Sequence, residues 1–220
     1  MSTREIRVYK DLMGANEKWA GATRTLLAHE GVVMLNLIGS PGAGKTSLLE
    51  AMTPHLLKQA RFAVLEGDIE TTRDAERLDR LGVPVSQLLS GGACHLEARL
   101  VNQALKDFPL RDLDLVFVEN VGNMVCPAEF DIGEKAKIAV LSITEGEDKP
   151  LKYPLLFREA RAVVLTKTDL LPYLEFDLPA CRRNIAQIDA SLPVFEVSAM
   201  TGEGVPALAD WVINTPQTVL

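Results

Sequence analysis

Residues 39–46 read Gly39-Ser40-Pro41-Gly42-Ala43-Gly44-Lys45-Thr46, with Ser47 next. They fit G-x-x-x-x-G-K-[ST] in full, a pattern whose chemistry is the holding of phosphates. The glycines leave backbone N–H groups free to curl around phosphate oxygens with no Cβ in the way. A helix starting after Gly44 adds the partial positive charge of its N-terminus. Lys45 brings an ammonium to the β- and γ-phosphates, a catalytic role, and Thr46 offers a hydroxyl to Mg²⁺. Two acidic residues end apolar runs farther on, Asp68 in LEGD and Glu119 in LVFVE. A carboxylate at such a strand end is the usual partner of the Mg²⁺, and both are expected to act in catalysis. The turn after Glu119 gives E-x-x-G rather than D-x-x-G, with Gly122 placed to bring its N–H to the terminal phosphate. No Gln follows Gly122, so Asp68 is the first choice for the group that positions the attacking water.

A second string, Thr166-Lys167-Thr168-Asp169, follows the apolar run ending at Leu165. It resembles the guanine-reading N/T-K-x-D motif of GTPases. Guanine shows N1–H and an exocyclic amine on one edge, and the Asp169 carboxylate can accept both. Adenine has no such pair, so the discrimination comes from unmatched hydrogen bonds. Lys167 can lie along the base with its aliphatic stem. Thr166 stands where Asn is usual, and weaker support of the base loop is expected. Ser198-Ala199-Met200-Thr201-Gly202 resembles the accessory loop whose backbone meets the guanine oxygen. The expected nucleotides are GTP and GDP.

Of three cysteines, two have instructive neighbours. Cys94-His95 follows Ser90-Gly91-Gly92-Ala93, and Cys126 lies seven residues beyond Glu119. Two sulfurs and one imidazole suit Ni²⁺ or Zn²⁺ better than a hard ion. A thiol at a helix N-terminus is biased toward thiolate, the ligand form. Adjacent residues on a regular helix point about 100° apart, so Cys94 and His95 converge only if that turn is irregular. Three ligands leave a coordination position that a second copy of the chain can fill. Composition alone favours buried, structural cysteines, with His95 a polar residue at a helix start. Cys181 has no Cys or His neighbour and is read as an ordinary thiol.

These groups need a scaffold. Apolar runs at Val32–Ile38, Phe62–Leu65, Leu115–Val118, Ile138–Ile143 and Ala162–Leu165 are of strand length, and Val85–Leu89 and Val194–Val197 add shorter ones. Continuous runs of this kind belong in a parallel sheet buried on both faces. Helical periodicity over Leu12–Glu30 and Ala93–Lys106 separates them, predicting α/β, doubly wound, mainly parallel architecture. Pro54 falls inside the helix after the P-loop and predicts a kink or early end. Leu171–Pro179 reads as a surface loop. The expected organisation is an N-terminal helical extension over residues 1–30 packed on a P-loop domain over 31–220, one structural domain overall.

The chain has 220 residues, 47% hydrophobic and 24% charged, with formal net charge −7. This composition excludes a disordered chain and, lacking a basic excess, argues against a nucleic-acid partner. No run approaches the roughly 18 apolar residues of a membrane span. An odd, sparse cysteine set argues for a reducing compartment, hence the cytoplasm.

Taken together, NLIGSPGAGKTSLLE, LEGDIETTRDAERL, GGACHLEARLV, LVFVENVGNMVCPAEFDIGE, SITEGEDKPLKYPLLF and LTKTDLLPY resemble the HypB family of hydrogenase maturation GTPases. The resemblance covers about residues 12–214. It implies a SIMIBI-class GTPase that forms a homodimer with GTP and carries a metal site of Cys94, His95 and Cys126 at the dimer interface. It also implies nickel delivery to the large subunit of [NiFe]-hydrogenase with a HypA-type nickel/zinc accessory partner. Some members carry an N-terminal Cys- or His-rich nickel motif; here the first cysteine is Cys94, so metal function rests on the G-domain site. Urease accessory GTPases are similar but have Cys-Pro-His, whereas Cys126-Pro127 precedes Ala128. Lys149 and Lys152 are read either as nucleotide or partner contacts or as solvated surface lysines. The competing classes are a GTP-dependent scaffold with structural cysteines and an ATP-using P-loop enzyme.

Overall fold

The protein is described from a computed structural model, over residues 3–68, 73–89 and 92–218. Seven strands form one sheet: β1 (Val33–Ile38), β2 (Phe62–Asp68), β3 (Val85–Leu89), β4 (Leu115–Glu119), β5 (Ala136–Ser142), β6 (Ala160–Thr166) and β7 (Val194–Val197). Their order is β3-β2-β4-β1-β5-β6-β7, and every pairing is parallel. The helices are α1 (Thr3–Glu30), α2 (Lys45–Leu56), α3 (Arg73–Asp79), α4 (Ala98–Leu105), α5 (Cys126–Glu129), α6 (Lys149–Lys152), α7 (Pro154–Glu159), α8 (Leu178–Ile188) and α9 (Val205–Thr218).

Alternate residues of each strand point to opposite faces, and both faces are apolar. Leu35, Leu37, Val64, Phe117 and Val140 pack against α2 and α9. On the other face, Met34, Leu65, Val116 and Val118 meet Leu27 of α1 and Val101 and Leu105 of α4. Ile38, Leu141 and Leu165 meet Phe157 of α7 and Ile185 of α8. These are helix–sheet–helix layers with all strand C-termini at one edge, the edge at which open α/β sheets bind ligands.

Two expectations are corrected by local geometry. The helix predicted over Ala93–Lys106 begins only at Ala98, because Glu97 is extended (φ −87°, ψ 144°) and the Leu96 N–H donates to a side chain. Cys94 and His95 therefore precede the helix, and the helix-terminus argument for a thiolate does not apply. Leu171–Pro179 is not all loop: a 3₁₀ turn spans Thr168–Tyr173, and Pro179 lies in the first turn of α8. Helix α2 runs through Pro54 and ends two residues later at Leu56. Helix α1 reaches Glu30 and packs on α4, with Ala20 and Thr23 fully buried.

Candidate functional site

The P-loop leaves β1 at the centre of that edge. Gly42 and Gly44 have φ of 74° and 90°, a region that side chains rarely adopt, and Gly44 caps α2. Gly39 admits no side chain: a Cβ there would lie 2.3 Å from the Val140 carbonyl oxygen. The Lys45 ammonium curls back to the carbonyls of Gly39 (3.4 Å) and Ser40 (3.3 Å). Thr46 donates its hydroxyl to Glu119 Oε1 at 2.9 Å, and both side chains are buried. Gly122 lies directly on the loop, where a Cβ would meet Pro41 Cγ at 2.7 Å. A cavity of about 490 Å³ opens between Pro41–Ser47, Gly67, Glu119 and Gly122. The oxygen donors that line it, the Thr46 and Ser47 hydroxyls and the Glu66 and Glu119 carboxylates, fit Mg²⁺. Asp68 ends β2 beside Glu66 at this edge, but its side chain lies outside the described residues, as do residues 69–72.

A second cavity of about 710 Å³ adjoins the first, sharing Gly44, Ser47, Arg77 and Lys167, and reaches Thr166, Asp169, Ala199 and Met200. Thr166 donates to the Ala43 carbonyl at 2.6 Å in a buried bond, so the P-loop keeps a side-chain strut from this position. Lys167 has φ 62° and donates to the Gly42 carbonyl at 2.7 Å. Among the described residues it is the one non-glycine in the left-handed region, a strain typical of ligand sites. Asp169 Oδ1 accepts from the Ser198 hydroxyl at 2.6 Å, and that hydroxyl also accepts from Thr201 N–H at 3.1 Å. Ser198, fully buried, therefore aims Asp169, while Ala199 lines the cavity.

At the same edge, β3 and β4 lead into the loops carrying the third group. The ligand atoms of Cys94, His95 and Cys126 all lie within 4.8 Å of one another. Cys94 donates its thiol to Cys126 Sγ at 2.7 Å, and His95 Nδ1 is 3.6 Å from Cys94 Sγ. The hydrogen bond to Cys126, then burial, pushes the Cys94 thiol up. Burial pushes His95 down despite Glu97 and Glu129, favouring the neutral imidazole. The His95 ring stacks on Phe130 with centroids 3.8 Å apart and 23° between planes. Cys181 is separate and fully buried, its thiol pushed by burial to about 11. Lys152 pairs with Asp148 at 2.6 Å, and Lys149 sits 5.5 Å from the Tyr153 ring centroid.

Three residues of this region were not singled out by sequence. Arg77 on α3 donates to Ser47 Oγ at 3.2 Å and Glu50 Oε1 at 2.9 Å on α2, at the junction of the two cavities. Phe130 supports His95, and Asn120 hydrogen-bonds to the loop after it. Only Asn120 had a signal, an amide directly after a strand-end acid.

The sheet order and the glycine-built loop define a P-loop nucleotide-binding protein. Residues 33–196 match the CobW/HypB/UreG nucleotide-binding domain family. The hydrogenase maturation factor HypB of Azotobacter vinelandii is 44% identical over 96% of this chain and 69% of its own length. The hydrogenase/urease maturation factor HypB of Helicobacter hepaticus is 38% identical over 96% of this chain and 88% of its own. The crystal structure of HypB from Helicobacter pylori in complex with nickel superposes with a TM-score of 0.88 at 34% identity, covering 93% of this chain and 97% of that one. The chain belongs to the CobW/HypB/UreG family, in its branch of HypB hydrogenase maturation factors. No helix among the described residues is long and apolar enough to cross a membrane.

Proposed function

We propose that the protein is a GTP-hydrolysing metallochaperone that binds nickel or zinc at Cys94, His95 and Cys126 and supports nickel insertion into a hydrogenase large subunit. The observation that carries this reading is the placement of Cys126 on the loop leaving the Glu119 strand, beside Cys94 and His95. Nickel is the cargo here, and the relative solved with nickel supports it. The set of two sulfurs and one nitrogen fits a borderline or soft ion, with an open position for release or for ligands of a second copy. The homodimer, the HypA-type accessory partner and the cytoplasmic setting belong to the same reading.

On the nucleotide side, the backbone of Gly39–Gly44 and the Lys45 ammonium would hold the phosphates, and Asp169, aimed by Ser198, would read guanine. Thr46 and Glu119 would hold Mg²⁺, which supplies charge neutralisation on the phosphate oxygens. Loop ordering under the γ-phosphate would reposition Cys126 relative to Cys94 and His95. By linkage, nucleotide state changes metal affinity and metal changes nucleotide affinity by the same factor.

Nickel titration of wild type and Cys94→Ala, each with GDP and with a non-hydrolysable GTP analogue, tests the metal arm. The substitution should weaken binding at least about tenfold, since even losing a supporting residue costs that much. Binding indifferent to both substitution and nucleotide would sink the reading in favour of a scaffold with structural cysteines. The nucleotide arm is checked by comparing GTP with ATP: wild type should prefer GTP by about 10²-fold or more, and Asp169→Asn should abolish most of that preference.

A further inference from the structure

One buried carboxamide touches both the nucleotide turn and the metal loop. Asn120 directly follows Glu119 and is 1% exposed. Its backbone N–H donates to the Leu37 carbonyl at 3.0 Å, locking it to the P-loop strand. Its Nδ2 donates to Asn36 Oδ1 at 3.2 Å, and Asn36 Nδ2 in turn donates to Glu134 Oε1 at 3.2 Å. That leaves Oδ1, which accepts from two backbone N–H groups: Val121 at 3.0 Å and Leu96 at 3.3 Å. Val121 opens the turn that carries Gly122 over the P-loop, and Leu96 is the residue after His95.

A second carboxamide repeats the arrangement nearer the surface. Asn123 Nδ2 donates to the Cys94 carbonyl at 3.1 Å, while its Oδ1 accepts from the Val125 N–H at 2.9 Å, one residue before Cys126. Leu96 is also wedged from the other side. A Cβ on Gly67, at the end of β2, would lie 2.8 Å from Leu96 Cδ1 and 3.1 Å from the Glu119 carbonyl oxygen.

We propose that Asn120 and Asn123 are positioning residues that transmit nucleotide state to the metal ligands by joining the 121–123 turn and the Cys94–Leu96 segment into one moving body. The inference rests on the nucleotide-linked metal site proposed above. A carbonyl oxygen has two lone pairs, and both on Asn120 Oδ1 are used. Shifting Val121 alone would strand a buried amide, which is costly, so the turn and the segment after His95 shift together. This supplies the contiguous physical connection that coupling between two sites needs. Asn120 borders the phosphate-side cavity, but its Oδ1 and Nδ2 are both engaged by protein groups, and neither carboxamide is given a ligand contact in this scheme.

The test titrates nickel into the full chain with GDP and with a non-hydrolysable GTP analogue, following the thiolate-to-nickel charge-transfer absorption. Asn120→Ala, Asn123→Ala and wild type are compared, and each is first checked by thermal melting. Asn123→Ala keeps the question answerable if loss of the buried Asn120 prevents folding. A coupled wild type should show an affinity ratio between nucleotide states of about 5–150-fold. Each variant should keep its nickel site and its GDP affinity while the ratio falls to within about twofold of one. The charge-transfer band should also become the same in both nucleotide states. A wild-type ratio that survives in the folded variants overturns the assignment alone. A wild-type ratio of one overturns the coupling reading and this assignment with it.

Discussion

At the scale of single residues, the chemistry was visible where a residue type is rare in its role, and hidden where it is common. Cys94, His95 and Cys126 could be picked out because sulfur and imidazole are scarce in this chain, and they do converge. Phe130 and Arg77 could not: an aromatic behind a histidine and an arginine on a surface helix carry no spacing signal. Thr166 shows a different limit. Its departure from Asn reads as a loss, yet a hydroxyl 2.6 Å from the Ala43 carbonyl performs the bracing. Thr166→Ala should weaken GTP and GDP binding about tenfold, the worth of a buried hydrogen bond to a preorganised loop. Thr166→Ser should stay within about twofold of wild type in the same titration. The cysteines give a simpler count. With its thiol raised to about 11 by burial, Cys181 should resist a thiol-specific chromophoric reagent at pH 8, while the Cys94 and Cys126 thiols react. The third thiol should appear only in denaturant; three reacting at once in the native chain would contradict that burial.

At the scale of elements, periodicity located the central strands well because β1, β4, β5 and β6 are buried almost throughout and their apolar runs are long, whereas the edge strands β3 and β7 are shorter, half-buried and interrupted by polar residues. It failed at the start of α4, where a long-range hydrogen bond from Leu96 N–H to Asn120 outcompetes helix formation. No window of local sequence contains that partner. The docking of α1 is similarly non-local. Asn16 Nδ2 donates to the Asp131 carbonyl (2.7 Å), its Oδ1 accepts from Ala98 N–H (3.0 Å), and Asn102 Nδ2 donates to Thr23 Oγ1 (3.1 Å). Gly133 fits beneath the helix with φ 90°, and a Cβ there would stand 2.6 Å from Thr23 Cβ. Gly133→Ala should therefore cost about 1–3 kcal/mol in chemical denaturation, from overpacking on top of a disfavoured backbone. The exposed Arg24–Asp131 pair at 2.7 Å adds little: Arg24→Ala should change stability by less than about 1 kcal/mol in the same assay.

At the scale of the whole molecule, the parallel sheet puts the groups proposed for phosphate, base and metal on one edge, with β4 leading to two of them. A buried acid braces its middle. The Glu134 side chain is 4% exposed, accepts from Ile132 N–H at 2.8 Å and from Asn36, and lies 3.8 Å from Lys137. Burial, outweighing Lys137, holds its carboxyl above the usual range. The folded chain thus grips this proton more tightly than the unfolded one. The stabilisation is full below the ordinary glutamate value and is lost as pH rises through the raised one. The melting-temperature difference, wild type minus Glu134→Gln, should grow as pH falls from about 8 to about 5; a shrinking difference would contradict it.

The strand order has a consequence for biosynthesis. The P-loop is made early, yet each brace of it comes late: Glu119 for Thr46, Val140 beside Gly39 and Thr166 for Ala43. A nascent chain that has emerged only through β3 carries the whole P-loop, Gly39–Thr46, but no partner strand on either side of β1. Ribosome-arrested chains ending before Ala136 should therefore fail to retain nucleotide, and retention should appear only once Thr166 has emerged. The chain would acquire its ligand only after β6 is made, with the earlier strands already exposed to chaperones and proteases.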